Sequence, residues 1–446
     1  MTTYCDATAT SSADHAANEP GALEQDDSTR VDALLAGQLE YVLGTSSFYQ
    51  RTIGQRDGRK PLRLADLAGL PFTTRRQLQE DQAEHPPFGS YCAADATRVV
   101  RVHRTSGSTG HQLIIALSAG DIEDTVTCGA RCFRAAGVRS EDLIVHCLNY
   151  CMWSGGLTDH QALERAGAGV IPYGVGHSSN LIRMILHTKP TGIHCTPSYL
   201  AKLEQRLAED FQLAPTALNL RLGLFGGEAG LQDPQFRSRI ERDWGFRAMD
   251  ANYGMAEVLS MFGAECEKRQ GLHFMGHDVV YPELKDPAGD RVLPWEPGVR
   301  GELVLTHLHR QCQPLVRYRT SDLIEVISCD PCPCGRQTPR WRVAGRVDDM
   351  VAIRGVNVYL NSISKIINSE LDRLTGQYRI LVSRSLPITD CVLKVEVREG
   401  QQPYNLGREL EGRLARELGV RFCVTLVPQG RLPRTEGKTR HLSRSL

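Results

Sequence analysis

The chain has 446 residues, with 52 basic and 52 acidic side chains and a formal charge of zero. That length exceeds one average domain, so two or more cores are expected. The charge balance offers no basic excess for a nucleic-acid backbone, and no run of about 18 apolar residues supplies a membrane span.

Met1 to Ser28 is rich in Ala, Ser, Thr and acids. It lacks the basic start and apolar stretch of a signal peptide and reads as a disordered tail. Residues 29–85 look helical and end in the turn-rich Pro86-Pro87-Phe88-Gly89. From Arg98-Val99-Val100-Arg101-Val102 onward, short β-branched runs alternate with amphipathic helices. A helix near 119–136 is followed by Leu143-Ile144-Val145, then by Ala168-Gly169-Val170-Ile171, Gly192-Ile193-His194-Cys195 and Leu222-Gly223-Leu224-Phe225, with helical stretches between. Such alternation implies a parallel sheet with helices packed on its faces. Past about 260 the character turns β-rich, as in Gly301-Glu302-Leu303-Val304-Leu305. The last hundred residues carry a helix near 361–373, two strands, a helix near 405–417 and a final strand at 421–427. The expected fold class is therefore α/β. A large N-terminal domain of mostly parallel sheets flanked by helices carries a β-rich subdomain, and a small mobile α+β domain follows a joint near 345–350. The expected division is a tail at 1–28, a large domain at 29–346 with its subdomain at about 260–342, and a small domain at 349–446.

Of the fourteen cysteines, most stand singly in apolar surroundings, as Cys132, Cys147, Cys195 and Cys423 do, where a thiol behaves as a small core residue. That pattern fits a reducing cytoplasm. Only Cys329-Asp330-Pro331-Cys332-Pro333-Cys334-Gly335 is clustered. With Cys266 and with His273 of Gly271-Leu272-His273 upstream, Cys332 and Cys334 complete three thiolates and one imidazole, a closed tetrahedral set suited to structural zinc. Cys329 is a spare that can replace either of the last two.

The strongest local signal is Arg104-Thr105-Ser106-Gly107-Ser108-Thr109-Gly110, which follows an expected strand. Glycines let the backbone approach an anion, successive N–H groups form a concave nest, and hydroxyls add donors to phosphate oxygens. Taken alone, it reads as a flexible Ser/Gly surface loop rather than a phosphate site. Four further groups accompany it in order. Asn252-Tyr253-Gly254-Met255-Ala256-Glu257 offers a flat ring, a tight turn and a carboxylate. Tyr318-Arg319-Thr320-Ser321-Asp322 puts an acid at the end of an apolar strand. Gly345-Arg346-Val347-Asp348-Asp349-Met350 precedes Arg354-Gly355-Val356-Asn357-Val358-Tyr359 at the expected joint. Pro433-Arg434-Thr435-Glu436-Gly437-Lys438-Thr439-Arg440 is a basic loop near the C-terminus.

In these motifs the chain resembles the acyl-adenylate-forming enzymes, and within them it is most similar to phenylacetate–coenzyme A ligases. The likeness begins near Leu70-Pro71-Phe72-Thr73-Thr74 and takes in Arg134-Ala135-Ala136-Gly137-Val138, Gly155-Gly156-Leu157, Cys195-Thr196-Pro197-Ser198-Tyr199 and Phe225-Gly226-Gly227-Glu228. The resemblance implies an ATP-dependent, AMP-forming ligase with ATP, magnesium and coenzyme A as co-substrates and cofactors. On that reading the loop Thr105, Ser106, Gly107, Ser108, Thr109, Gly110 cradles the β- and γ-phosphates. Tyr253 stacks on adenine between Asn252 and Gly254, with Gly227 and Glu228 lining the base pocket. Glu257 holds magnesium, a hard cation that prefers carboxylate and phosphate oxygen. Asp322 takes the ribose hydroxyls and Arg346 sits beside ribose and phosphate. Lys438 swings in to offset charge growing on the bridging oxygens, where electrostatic catalysis gains most. Asp348 falls at the hinge that lets one site run two reactions. Asn149 to Gly156 matches the region that lines the acid site. Tyr150 is placed to reach the substrate carboxylate, Trp153 to form an aromatic wall, and Gly156, Met255 and Ala256 to complete the pocket. His160 and His177 lie nearby, although a lone histidine is more often a structural residue. The resemblance also implies zinc at the four-residue set and a homodimer.

The chain departs from its relatives in three places. His111-Gln112 stands where Lys-Pro is usual, so a permanent charge gives way to a group largely neutral at pH 7. Ala256 removes one hydroxyl donor to the α-phosphate. Ser321 replaces a small or basic residue before Asp322. The expected reaction is activation of an aryl carboxylic acid as acyl-AMP with release of pyrophosphate, then transfer to coenzyme A. An alternative keeps the first step and changes the partner to an amine, a carrier-protein thiol or a non-carboxylate oxyanion such as nitrite, in a specialised biosynthetic pathway. A zinc-bearing scaffold without catalysis is opposed by the retention of Lys438.

Overall fold

The computed structural model describes residues 25–54, 63–105, 112–228, 230–347, 350–353, 356–383, 391–401, 404–433 and 441–444. The first helix, Gln25–Thr45, already begins inside the segment expected to be a tail, so that expectation is corrected over residues 25–28. Residues 1–24 lie outside the described residues.

The expected alternation appears as a twelve-stranded sheet with two halves. In the parallel half the order is Gly169–Pro172, Leu143–His146, Gly192–Cys195, Leu222–Gly226 and Arg247–Met255. The antiparallel half continues through Leu259–Glu265, Leu272–Phe274, Arg340–Arg346, Tyr318–Ser328, Arg300–His307, Val280–Lys285 and Val292–Leu293. Arg247–Met255 joins the halves, running parallel to Leu222–Gly226 and antiparallel to Leu259–Glu265. It therefore carries Asn252 and Tyr253 at the point where strand direction changes. In α/β sheets ligands gather beyond the carboxyl ends of the parallel strands, the end at which Arg247–Met255 carries these two residues.

The covering helices begin and end where the local chemistry dictates. Ala119–Ala135 starts from Ser118, whose hydroxyl accepts from Asp121 N–H while the Asp121 carboxylate accepts from Ser118 N–H, a closed capping box. Pro234–Trp244 starts from Asp233 with proline in its first turn. Ser154–Ala166 ends at Gly167, whose φ of 108° a side chain would resist. One core runs through both halves of the sheet and includes Phe133, Leu163, Leu224, Met249, Phe262 and Trp341. A second core on the parallel half includes Ile182, Ile193, Leu200, Phe225 and Trp244.

The N-terminal segment is anchored by Arg317, which is 2% exposed. Its guanidinium grips Glu283 at 3.0 and 3.1 Å and donates to the carbonyls of Ala68 and Leu70 at 2.8 and 2.6 Å. The pair Arg101–Arg104 and Ile114–Leu117 forms its own antiparallel ladder and flanks the phosphate-loop motif. The expected strand from Arg98 starts only at Arg101; Ala96–Arg98 is a short 3₁₀ turn.

The separate C-terminal domain has a four-stranded sheet in the order Cys423–Pro428, Cys391–Val397, Leu374–Val382 and Leu442–Arg444. Helices Leu360–Asn368 and Leu406–Leu418 cover it, and Ile363, Ile367, Leu393, Val395, Leu410 and Leu414 fill the core. The first helix stops five residues short of the expected 373, because Leu374 is already committed to the sheet. Among the described residues, no helix is long and apolar enough to cross a membrane.

Candidate active site

The strand Arg247–Met255 delivers Tyr253 edge-on to Phe262 and Trp341, with ring centroids 5.2 and 4.8 Å away. The Tyr253 hydroxyl donates to Asp322 Oδ2 at 2.6 Å, and Arg346 pairs with Asp322 Oδ1. Asp322 and Arg346 face each other across neighbouring strands, Tyr318–Ser328 and Arg340–Arg346, in direct register. Burial and the adjacent Asp322 carboxylate push the Tyr253 phenol well above its ordinary range, so it remains a donor. Ser321, the residue before Asp322, holds φ at 64°, and its N–H donates to Glu302 Oε1 at 3.2 Å. A left-handed backbone at a non-glycine residue is uncommon and concentrates at sites that surrounding contacts over-determine.

Glu257, 6% exposed, receives the Arg75 guanidinium at 2.5 Å and the Tyr318 hydroxyl at 3.2 Å. The other arm of Arg75 donates to Thr105 Oγ1 at 2.6 Å. Thr105 is itself locked by the Leu113 backbone, donating its N–H to Leu113 O and accepting from Leu113 N–H, both at 3.0 Å. One guanidinium thus ties the expected magnesium carboxylate to the first residue of the expected phosphate loop. Arg75 carried no role in the sequence reading, although Phe72-Thr73-Thr74 beside it did mark the resemblance. Its signal was the capping box of Thr74 and Gln77, which starts the helix Arg75–Glu84 and fixes where the arginine points. Ser106, Gly107, Ser108, Thr109, Gly110 and His111 lie outside the described residues, as do Asp348 and Lys438.

The acid-site candidates gather on the parallel half. Trp153 precedes the helix Ser154–Ala166, and a methyl group added at Gly227 would lie 3.6 Å from its ring. Gly227 sits at φ 76° just past Leu222–Gly226, and Glu228 accepts from Ser198 N–H at 3.2 Å. Gly156 is packed so closely on Asn149 that a Cβ would approach its carbonyl to 2.2 Å. Gly254, Met255 and Ala256 follow Tyr253 and lead into Glu257, so the base, acid and metal candidates share one strand end. The Tyr150 hydroxyl bonds His160 Nδ1 at 2.8 Å, and His160 Nε2 lies 3.0 Å from Glu164. His177 starts the helix Ser178–Thr188 instead and lines a cavity of about 370 Å³ with Lys202 and Arg206.

Cys266, His273, Cys332 and Cys334 bring their ligand atoms within 4.8 Å of one another, the first two from the hairpin at 259–274 and the others from the loop at 329–339. Burial lowers His273 to about 4, leaving a neutral imidazole, and the donor set of three sulfurs and one nitrogen is the one zinc prefers. Cys329 stands apart: it is exposed and donates to the Trp295 carbonyl at 3.2 Å.

The AMP-binding enzyme family matches residues 52–308, and the AMP-binding enzyme C-terminal domain matches residues 355–444. Phenylacetate-coenzyme A ligase of Pseudomonas putida is 34% identical over 387 residues, covering 85% of this chain and 84% of the relative. The enzyme of the same name from Thermus thermophilus is 32% identical over 426 residues, covering 89% and 91%. Among solved structures, 2-hydroxyisobutyryl-CoA ligase in the postadenylation state with 2-HIB-AMP superposes with a TM-score of 0.85 at 30% identity, covering 94% of this chain and 90% of that one. The same ligase with 2-HIB-AMP and CoA in the thioesterfication state gives 0.68 at 31% identity, covering 94% and 90%. From the paired Asp322–Arg346 and Arg75–Glu257 groups to these matches over nearly its whole length, the chain belongs to the adenylate-forming AMP-binding enzymes, among the relatives of phenylacetate–coenzyme A ligase, and is an AMP-forming ligase.

Proposed function

We propose that the protein activates a small organic acid as its AMP ester, releasing pyrophosphate, and then transfers the acyl group to coenzyme A. The observation that carries this reading is the joint geometry of Tyr253, Asp322 and Arg346 beside Arg75, Glu257 and Thr105. Asp322 presents a carboxylate whose position is fixed by a phenol and a guanidinium, which suits it to the two hydroxyls of a ribose. The Tyr253 ring offers a face to adenine, and Glu228 and Gly227 close the far side. Glu257 is the carboxylate that fits magnesium. The hydroxyls and N–H groups of the 105–110 loop take the phosphates, and Arg75 supplies the fixed cation that His111 does not. Lys438, in the second domain, places an ammonium at the α-phosphate as the acid attacks, and Asp348 is the hinge about which that domain turns between half-reactions.

The acid lies between Trp153, Gly156 and the Met255-Ala256 turn. Trp153 favours an aryl acid. The 2-hydroxyisobutyryl-CoA ligases support a second class, a short hydroxy acid, because they match over almost the whole chain. Zinc at Cys266, His273, Cys332 and Cys334 clips the 329–339 loop to the hairpin, a structural role with no position left for water. The test is pyrophosphate release across aryl and 2-hydroxy acids, with and without coenzyme A. Acid-dependent release, with a thioester formed only when coenzyme A is present, is the expected result. Acid-dependent release without thioester defeats the transfer step, and silence across the panel defeats the acid itself.

A further inference from the structure

Glu396, in the strand Cys391–Val397 of the C-terminal domain, is 0% exposed. Its Oε1 accepts from Gly430 N–H at 2.7 Å and its Oε2 from Leu432 N–H at 3.2 Å. Both donors lie just past the strand Cys423–Pro428, whose Val427 stands opposite Glu396 in register. A turn there returns Arg431 N–H to the Pro428 carbonyl at 3.2 Å, with Gly430 at φ 80°, so alternate N–H groups converge on one carboxylate. Burying a carboxylate is costly, and bonds from backbone N–H groups to it are the strong kind that offset the cost. Leu432, so held, is itself buried.

A second anchor lies nine residues on. His441 stacks on Tyr378 of the strand Leu374–Val382, with ring centroids 4.1 Å apart and 11° between the planes. Its Nδ1 lies 3.1 Å from the Tyr378 carbonyl, and its own carbonyl accepts from Ile380 N–H at 2.6 Å. Leu442–Arg444 then pairs in parallel with the same strand. The Tyr378 ring is fixed in turn, because its hydroxyl lies 2.5 Å from Ser364 Oγ and 3.3 Å from the Leu360 carbonyl of the covering helix. The two anchors meet the sheet at one level, since Tyr378 is in register with Val395, the residue before Glu396. Between them in sequence, six residues past Leu432 and three before His441, stands Lys438.

Building on the activation reading above, in which Lys438 serves the first half-reaction, we propose that Glu396 is a positioning residue for Lys438. It fixes the chain on one side of the lysine while the Tyr378–His441 stack fixes the other. An ammonium on a four-carbon stem lowers a barrier only where its backbone is held, and a misplacement of about 1 Å can cost ~100-fold. Transfer of the acyl group from AMP to coenzyme A makes no use of that ammonium, so the anchors bear on one half-reaction and spare the other.

The half-reactions are measured separately, with phenylacetate, benzoate and 2-hydroxyisobutyrate as acids and their synthetic adenylates. Glu396→Gln is expected to lower acid-dependent pyrophosphate release by roughly 10- to 100-fold. Thioester formation from supplied adenylate and coenzyme A should stay within about twofold of wild type, because no group it needs has moved. In a Lys438→Ala background Glu396→Gln should cost nothing further, since two residues that act through one group are not additive. His441→Ala should act in the same direction, and His441→Phe, which keeps a flat ring on Tyr378, should retain more of the rate. Thermal melting checks folding, and the His441 pair carries the test if Glu396→Gln does not fold. Equal losses in both half-reactions, or a loss that multiplies with that of Lys438→Ala, overturn the proposal. Wild-type silence with all three acids instead overturns the activation reading on which it rests.

Discussion

Replacing Arg75 by glutamine removes the one guanidinium that joins Glu257 to Thr105. The side chain is 32% exposed while Glu257 is 6% exposed, so the lost pair is shielded on the carboxylate side only. Breaking a wholly buried pair typically costs about 3–5 kcal/mol. Solvent at Arg75 and the surviving bond from Tyr318 reduce that to about 1–2 kcal/mol, or roughly 2–8 °C in Tm for a domain of this size. The functional loss should be larger. If Arg75 provides the fixed charge at the phosphates, one charge-assisted contact of about 1.5–3 kcal/mol disappears, roughly 10- to 150-fold in kcat/KM for ATP. Arg75→Lys keeps the charge but has no fork to reach two partners, so it should recover stability more than turnover. The assays are thermal melting and initial-rate pyrophosphate release at varied ATP. A glutamine variant that melts early yet retains kcat/KM for ATP within about twofold would show Arg75 to be a structural clip alone, and the phosphate argument would fail.

Lys438→Ala should lower acid-dependent pyrophosphate release by at least ~100-fold while calorimetry still detects ATP binding, because its charge acts on the transition state. Elemental analysis should find one zinc per chain, and Cys334→Ser should lower that content and the Tm together; full stability without metal would remove zinc from the account. Stability should peak near pH 6.5. Burial lowers His103 and His146 to about 4 and His307 to about 3, so below about 6.5 the unfolded chain binds protons that the folded chain refuses, and stability is lost as pH falls. Asp159 rises to about 8 and Asp250 to about 7, so the folded chain keeps protons that the unfolded chain releases, and stability declines as pH rises from 6.5 to 8. Melting curves at pH 5, 6.5 and 8 check this, and a steady climb from 5 to 8 would contradict it.

Much of the candidate site was legible because its chemistry is local. Tyr253-Gly254-Met255-Ala256-Glu257 and the segment ending in Asp322 are contiguous strings, so residue type and order already carry the pattern. The four metal-ligand candidates were legible for another reason: cysteine pairs and a histidine at short spacing have few other uses. Arg75 and Glu396 were not legible. Each depends on partners 30 to 182 residues away, and an arginine opening a helix or a glutamate within a strand has an ordinary solvated reading in sequence. The first helix starts four residues inside the stretch expected to be a tail, because a polar segment without apolar periodicity carries little to mark a helix start.

The sequence by itself determined the alternation of strand and helix, the change to β-rich character past 260, the order of the nucleotide motifs and the four residues of the candidate metal cluster. These follow from periodicity and residue chemistry along the chain. Tertiary structure decided that Arg247–Met255 is the strand where parallel pairing turns antiparallel, which brings Asn252, Tyr253 and Glu257 to one edge. It decided that Arg346 faces Asp322 rather than solvent, that Arg75 reaches both Glu257 and Thr105, and that Glu396 is buried against the N–H groups of Gly430 and Leu432. Strand register and the desolvation of a charge are properties of the packed chain, since each depends on which distant residues exclude water from the same space.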